Sequence, residues 1–256
     1  YEPQALEGDP AYLATFASRA AELDIPVKQP RLVFLTYSYP SRIYRRQIRK
    51  IFSAPLISSY GSTETGHVFM ECEAGRLHQN TGHCRVDFVP WLPRHGGPQR
   101  GHMLVTVFHN PWFVVLRFAI GDVARLDDRG PCPCGRRAGL TLAAIEGRVT
   151  GLTLDAEGNA VSVDDLDAAL ARIPGVTAWQ LDLPARQRLQ LRIMVESGFA
   201  RQACRQAQDV LQGIYGAGAR IVVAAEKTLR HENSGKIRFV RPAFPVDLAT
   251  LWSGKK

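Results

Sequence analysis

Tyr60-Gly61-Ser62-Thr63-Glu64 follows a short apolar run, Ala54-Pro55-Leu56-Ile57, and the two together decide how the chain is read. The run predicts a buried strand, ended by a glycine turn with a hydroxyl and a carboxylate in succession. In open α/β sheets, ligands bind at the carboxyl ends of strands. A threonine there can hydrogen-bond a phosphate oxygen. A carboxylate can hold a hard cation such as Mg²⁺, which takes oxygen ligands. The same five residues also suit an ordinary β-turn, and alone they do not choose between the two.

The residues before this stretch favour an α/β layer. Residues 11–24 have helical spacing, with Tyr12, Leu13, Phe16, Ala20 and Leu23 predicted on one face. Leu32-Val33-Phe34-Leu35 predicts a buried strand. The basic cluster Arg42 to Lys50 is interleaved with Ile43, Tyr44, Ile48 and Ile51. That pattern predicts an amphipathic helix with a solvated cationic face rather than a nucleic-acid stripe. Helix and strand in alternation imply neighbouring parallel strands.

After Glu64 the texture changes. Short β-like runs at 67–71, 84–89, 103–108 and 113–118 predict a small β-barrel or an antiparallel sheet. Gly147 to Gly151 reads as a domain boundary, giving domains 1–148 and 149–256. Beyond it, Ser162 can cap a helix bearing Val163, Leu166, Ala169, Leu170 and Ile173. Strands follow at 176–183 and 188–195, with Gln180, Asp182, Gln190 and Arg192 as the alternate polar positions. A helix over about 199–215 and a strand at 220–225 complete a small α+β domain of about a hundred residues.

Composition sets outer limits. The chain has 256 residues, 45% hydrophobic and 22% charged, with a net charge of +8. That balance favours polyanionic partners: nucleotides, the phosphates of CoA, or nucleic acid. No apolar run approaches the roughly 20 residues that span a bilayer, so a membrane partner is not expected. Five cysteines do not suggest a disulfide scaffold, and a reducing cytoplasm is the expected compartment.

Four further places carry candidate chemistry. Asp122, after Gly121 at the end of an apolar run, is suited to accept two ribose hydroxyls, or else to satisfy its own turn. Arg148, after Gly147, can make forked hydrogen bonds to an oxyanion, or is a surface arginine. Lys236 lies in Asn233-Ser234-Gly235-Lys236. This is not a phosphate-binding P-loop, because Arg230 stands where the first glycine would be and Ile237 follows the lysine. Cys72 and His78, with Cys132-Pro133-Cys134-Gly135, offer three thiolates and an imidazole, a tetrahedral zinc set. Cys84 and His83 compete for a place in it, and separate reduced thiols are the alternative.

Taken in order, Tyr60–Glu64, Arg117–Asp122, Gly147-Arg148 and Ser234–Lys236 resemble the motifs of the adenylate-forming (AMP-forming) ligase superfamily. The match is to the branch of phenylacetate–CoA ligase and its capsule-biosynthesis and coenzyme F390 synthetase-like relatives. It runs from Leu6 to Lys236. The resemblance implies an α/β large domain with a small β-barrel, followed by a mobile α+β C-terminal domain. It implies activation of an aromatic or aryl-acetic carboxylate through an acyl-adenylate, with ATP, Mg²⁺ and CoA. A carrier-protein thiol or an amine as acceptor, or a non-catalytic zinc-containing basic module, are the other readings. By resemblance, Lys236, Thr63 and Glu64 are catalytic, Tyr60, Gly61, Asp122 and Arg148 bind the nucleotide, and Cys72, His78, Cys132 and Cys134 hold a structural Zn²⁺. Nucleic acid is not expected as a partner, and a homodimer is left open.

The sequence also departs from that family. The phosphate loop is absent and is expected upstream, so the residues read as the C-terminal half of a longer protein and as inactive alone. The family's Gly-Gly-Glu-like turn is replaced by Thr36-Tyr37-Ser38-Tyr39-Pro40, and the hinge position holds Thr150 before Gly151.

Overall fold

The computed structural model describes residues 3–252. Three short parallel strands come first: β1 (Ala5–Gly8), β2 (Leu32–Leu35) and β3 (Leu56–Ser62). Helix α1 (Pro10–Glu22) joins β1 to β2, and α2 (Arg42–Ile48) lies between β2 and β3 in sequence. The Asp9 carboxylate caps α1 by accepting the Ala11 N–H at 2.8 Å, and Pro10 fills the first turn, where no amide is needed. The buried face of α1 is Leu13, Ala14, Ala17 and Ala20, while Tyr12, Phe16 and Leu23 are exposed. This corrects the face expected from hydrophobicity. Small alanines surround Leu13 on the buried face, while Tyr12 and Leu23 turn outward and the half-exposed Phe16 ring stacks on Phe52 with centroids 6.2 Å apart.

Strand β3 changes partner halfway. Leu56–Ser58 pair parallel with β2, and Ser59–Ser62 pair antiparallel with β4 (Gly66–Glu71). From there the sheet is antiparallel: β5 (Leu77–Gln79), β6 (Cys84–Pro90), β7 (Arg100–Val107), β8 (Phe118–Leu126) and β9 (Thr141–Arg148). The nine strands run β1-β2-β3-β4-β5-β9-β8-β7-β6. The order has two ends, so the small barrel is corrected to an open sheet continuous with the parallel layer. Val68, Phe69, Val86, Met103, Val105, Ile120, Ala124 and Leu142 form its core.

The apolar run 113–118 is not the expected strand. Asn110 Oδ1 accepts the amides of Trp112 and Phe113, and Arg117 has φ +47°, so the chain loops out before β8 starts at Phe118. Trp112 is 94% exposed.

By contact density the described chain falls into two compact units. One holds the residues up to Pro40 and Arg45–Glu146; the other holds Ser41–Tyr44 and the residues from Gly147 on. The second contains the hairpin β10 (Thr153–Leu154) and β11 (Ala160–Val161), α3 (Val163–Leu170), β12 (Val176–Ala185) and β13 (Arg188–Val195). It continues through α4 (Ala200–Tyr215), β14 (Arg220–Ala225), β15 (Val240–Pro242) and the short α5 (Ala249–Trp252). Ser162 and Asp165 form a reciprocal capping box at the start of α3. The four-stranded sheet runs β14-β13-β12-β15, and its core is centred on Trp179, which packs 5.0 Å from the Phe239 ring. No helix among the described residues is long and apolar enough to cross a membrane.

Candidate active site and metal centre

Gly61 lies inside β3 rather than in a turn. A Cβ at this position would stand 1.9 Å from the Gly66 carbonyl oxygen, so only glycine lets β3 and β4 close. The turn itself is Thr63–Thr65. Ser62 and Thr65 lock it, each backbone N–H reaching the other's hydroxyl at 3.2 Å. Thr63 and Glu64 are exposed at its tip.

Asp122 is likewise inside a strand, not at the end of one. Strand β8 pairs with β7 at His102↔Val123 and again at Leu104↔Ala119, which leaves Ile120, Gly121 and Asp122 opposite Met103. Gly121 has φ +83° within this bulge. Bulges re-aim side chains, and here the result is a contact with β3: Tyr60 Oη donates to Asp122 Oδ2 at 2.7 Å. The Asp122 residue is only 8% exposed. The Tyr60 ring also packs on Phe69, with centroids 6.2 Å apart. Tyr60, Gly61 and Asp122 are therefore brought together, with Thr63 and Glu64 on the adjoining turn.

The turn Thr36–Pro40 leaves β2 next to the same strand, since Leu35 pairs with Ser58. Tyr37 is 66% exposed and adopts φ +71°, a backbone that glycine takes without strain.

Arg148 and Lys236 belong to the second unit. Arg148 is exposed at the end of β9, and Lys236 is exposed on a small hairpin closed by the His231↔Ile237 bridge. Within that hairpin the Glu232 N–H donates to the Lys236 carbonyl and the Gly235 N–H to the Glu232 carbonyl, both at 2.9 Å.

The four candidate metal ligands meet. The ligand atoms of Cys72, His78, Cys132 and Cys134 all lie within 4.8 Å of one another. Cys72 Sγ is 3.6 Å from Cys132 Sγ, and Cys134 Sγ is 3.3 Å from His78 Nε2. A tetrahedral Zn²⁺ with bonds of about 2.0–2.3 Å sets its ligand atoms about 3.5–3.8 Å apart; the two pairs just given stand at about that spacing, and the wider pairs, up to 4.8 Å, close on a metal by about an ångström at most. Backbone geometry prepares the site. The Cys72 N–H donates to the Arg76 carbonyl at 2.9 Å, and the Gly135 N–H to the Cys132 carbonyl at 3.1 Å. Burial, with Arg136 and Arg76 nearby, holds the His78 imidazole below its usual pKa and so neutral, as a ligand must be. The Arg136 N–H holds the Cys134 thiol low, while burial pushes Cys132 up. Cys84 and His83 stay outside the set: the Cys84 thiol faces the Asn80 carbonyl, and His83 Nε2 the Thr65 carbonyl.

Two supporting residues were not singled out from sequence. Thr141 Oγ1 lies 3.3 Å from His78 Nδ1, which leaves Nε2 turned to the thiolates. The Arg76 guanidinium donates to the Gly130 carbonyl at 2.6 Å and pairs with Asp127 at 2.9 Å, tying the cysteine loop down. No spacing rule points to either.

No family model and no curated protein matches the chain. Solved structures do. The 2-hydroxyisobutyryl-CoA ligase in its postadenylation state, in complex with 2-HIB-AMP, matches with a TM-score of 0.72 at 18% identity, over 94% of this chain and 54% of that one. The chain has the adenylate-forming fold. The anthranilate CoA ligase AuaEII in complex with anthranoyl-AMP gives 0.61 at 16% identity, over 92% of this chain and 48% of that one. The adenylation domain of a carboxylate reductase from Mycobacterium chelonae gives 0.58 at 15% identity, over 91% and 44%. The chain thus spans about half the length of the solved structures it matches.

Proposed function

We propose that the chain is part of an ATP-dependent, AMP-forming acid–thiol ligase of the phenylacetate–CoA ligase branch, acting on an aromatic or aryl-acetic acid. The observation that carries this reading is the Tyr60–Asp122 hydrogen bond. It joins the first two of four ordered motifs in one unit of a fold shared with acyl-adenylate-bound ligases.

Each residue then has a task. Asp122 accepts the ribose hydroxyls, held by Tyr60, whose ring flanks the adenine. Thr63 donates to the phosphate. Glu64, an exposed carboxylate on a turn, suits Mg²⁺, which binds one or two carboxylates besides phosphate and water and neutralises phosphate charge when bound. As the substrate carboxylate attacks the α-phosphorus and pyrophosphate departs, negative charge accumulates there. The Lys236 ammonium stabilises it, and Arg148 binds the ribose end. The thiol of CoA then displaces AMP from the acyl group after the second unit moves about the Gly147–Gly151 segment. Cys72, His78, Cys132 and Cys134 hold a structural Zn²⁺: four protein ligands leave no position for a reactive water. A reducing cytoplasm keeps those thiols available.

The test is ATP–pyrophosphate exchange by the longest natural form of the protein, with a panel of aromatic, aryl-acetic and aliphatic acids. Exchange led by an aromatic acid supports the reading. No exchange with any acid, together with no AMP binding, overturns it.

A further inference from the structure

Gln180 stands among the alternate polar positions of β12, where sequence places it on the solvent face. Asp182, two residues on, is partly exposed and paired with Arg192 and Arg241. Gln180 is 0% exposed. Every part of its amide is used. Nε2 donates to the Arg230 carbonyl and to the Arg238 carbonyl, both at 2.9 Å, and Oε1 accepts the Arg230 N–H at 3.2 Å. Arg230 and Arg238 are the two stems of the hairpin whose tip carries Lys236. One buried side chain therefore grips both ends of that loop.

We propose that Gln180 is the positioning residue for Lys236: it pins the hairpin to the four-stranded sheet, so that the ammonium travels with the sheet as one rigid piece. This deepens the ligase reading above and rests on it for the role of Lys236. The chemistry requires an amide. Two carbonyls need two N–H donors from one nitrogen, and the Arg230 N–H needs an acceptor on the same group. Asparagine supplies both but is one methylene short. Glutamate would set a carboxylate against two carbonyl oxygens. The apolar anchors Leu229 and Phe239 are buried on either side, and the Leu181 N–H donates to the Phe239 carbonyl at 2.7 Å. These hold the outer ends, while Gln180 fixes the span between them. A polar loop without such a tie opens locally far more easily than the sheet beneath it.

The experiment uses Gln180→Glu and the volume-matched Gln180→Met, with two readouts. Hydrogen exchange on the chain alone should show Arg230 and the 231–238 hairpin exchanging at least about tenfold faster, with the β12–β13 amides unchanged. In the longest natural form, ATP–pyrophosphate exchange should lose about tenfold in kcat at an unchanged KM for ATP. Thiol transfer from supplied acyl-adenylate should stay as in wild type, and Lys236→Ala combined with either variant should lose nothing beyond Lys236→Ala alone. Unchanged protection of the hairpin in both variants overturns the proposal, as does an equal fall in both half-reactions. Lost protection in a protein whose wild type never adenylates supports the anchoring and overturns the ligase reading instead.

Discussion

The Tyr60 hydroxyl donates to the Asp122 carboxylate at 2.7 Å, across 62 residues of chain. The bond helps to aim a mostly buried acid carried on the β8 bulge. A hydrogen bond to a charged group contributes about 1.5–3 kcal/mol, so Tyr60→Phe should lower stability by that amount in urea unfolding. Asp122→Asn keeps the shape but puts an NH₂ donor where the proposed nucleotide site needs an acceptor for ribose hydroxyls. AMP affinity should then fall about tenfold or more, roughly 1.4 kcal/mol per decade, in calorimetric titration. Equal affinity in the two proteins would remove Asp122 from the nucleotide site.

The purified protein should carry about one Zn²⁺ per chain, measurable by elemental analysis. The metal would clip the Cys72–His78 hairpin between β4 and β5 to the Cys132–Cys134 loop between β8 and β9. Cys132→Ser or a strong chelator should remove it and destabilise the protein by on the order of several kcal/mol, because metal binding and folding are coupled. Cys84→Ala should keep the metal, since that thiol faces the Asn80 carbonyl instead. Retention of metal by Cys132→Ser would exclude the proposed ligand set.

Sequence pattern was most legible where each strand has one wet and one dry face. β13 lies at the bounds that its alternating polar positions predict, β14 at those of the apolar run 220–225, and Ser162 caps α3 as its hydroxyl suggests. β1, β5 and β9 escaped because two are very short and the third mixes small, apolar and charged residues. The 113–118 run misled because Phe113, Val114 and Leu116 are exposed and only Val115 is buried, which periodicity alone cannot reveal. The cysteine–histidine set was legible because thiolates and imidazole are specialised donors. Gln180 and the buried Glu146, which pairs with Arg100 and Arg125 at 2.6 Å, were not. Their burial follows from which distant segment covers them, not from their neighbours in sequence.

Tyr37 holds a left-handed backbone at φ +71° with its side chain mostly exposed. That conformation costs an L-residue about 1–2 kcal/mol, while glycine loses about 0.5–1 kcal/mol more chain entropy on folding. Tyr37→Gly should therefore raise stability by about 0.5 kcal/mol. Tyr37→Ala keeps a Cβ and should give no gain. Urea midpoints at constant m-value separate the two, and a clear loss in the glycine variant would mean that the tyrosine ring itself holds the turn.

Asp182 joins three strands of the second unit, with Arg192 from β13 and Arg241 from β15 both on its carboxylate. Burial alone would push its pKa up. The hydrogen bonds from Arg241 and Arg192 outweigh burial and hold it below the usual carboxylate range. A depressed folded-state pKa stabilises the protein above the unfolded value, about 3.9 for aspartate. That contribution is lost as pH falls through the folded value. Asp182→Asn should cost about 1–3 kcal/mol near neutrality, since two arginines lose their shared acceptor. The gap between wild type and variant should be constant from about pH 6 to 8 and shrink below about pH 4. Unfolding free energies across that range check the sign: a gap that widens on acidification would mean that the carboxyl is protonated more readily in the folded protein than in the unfolded chain.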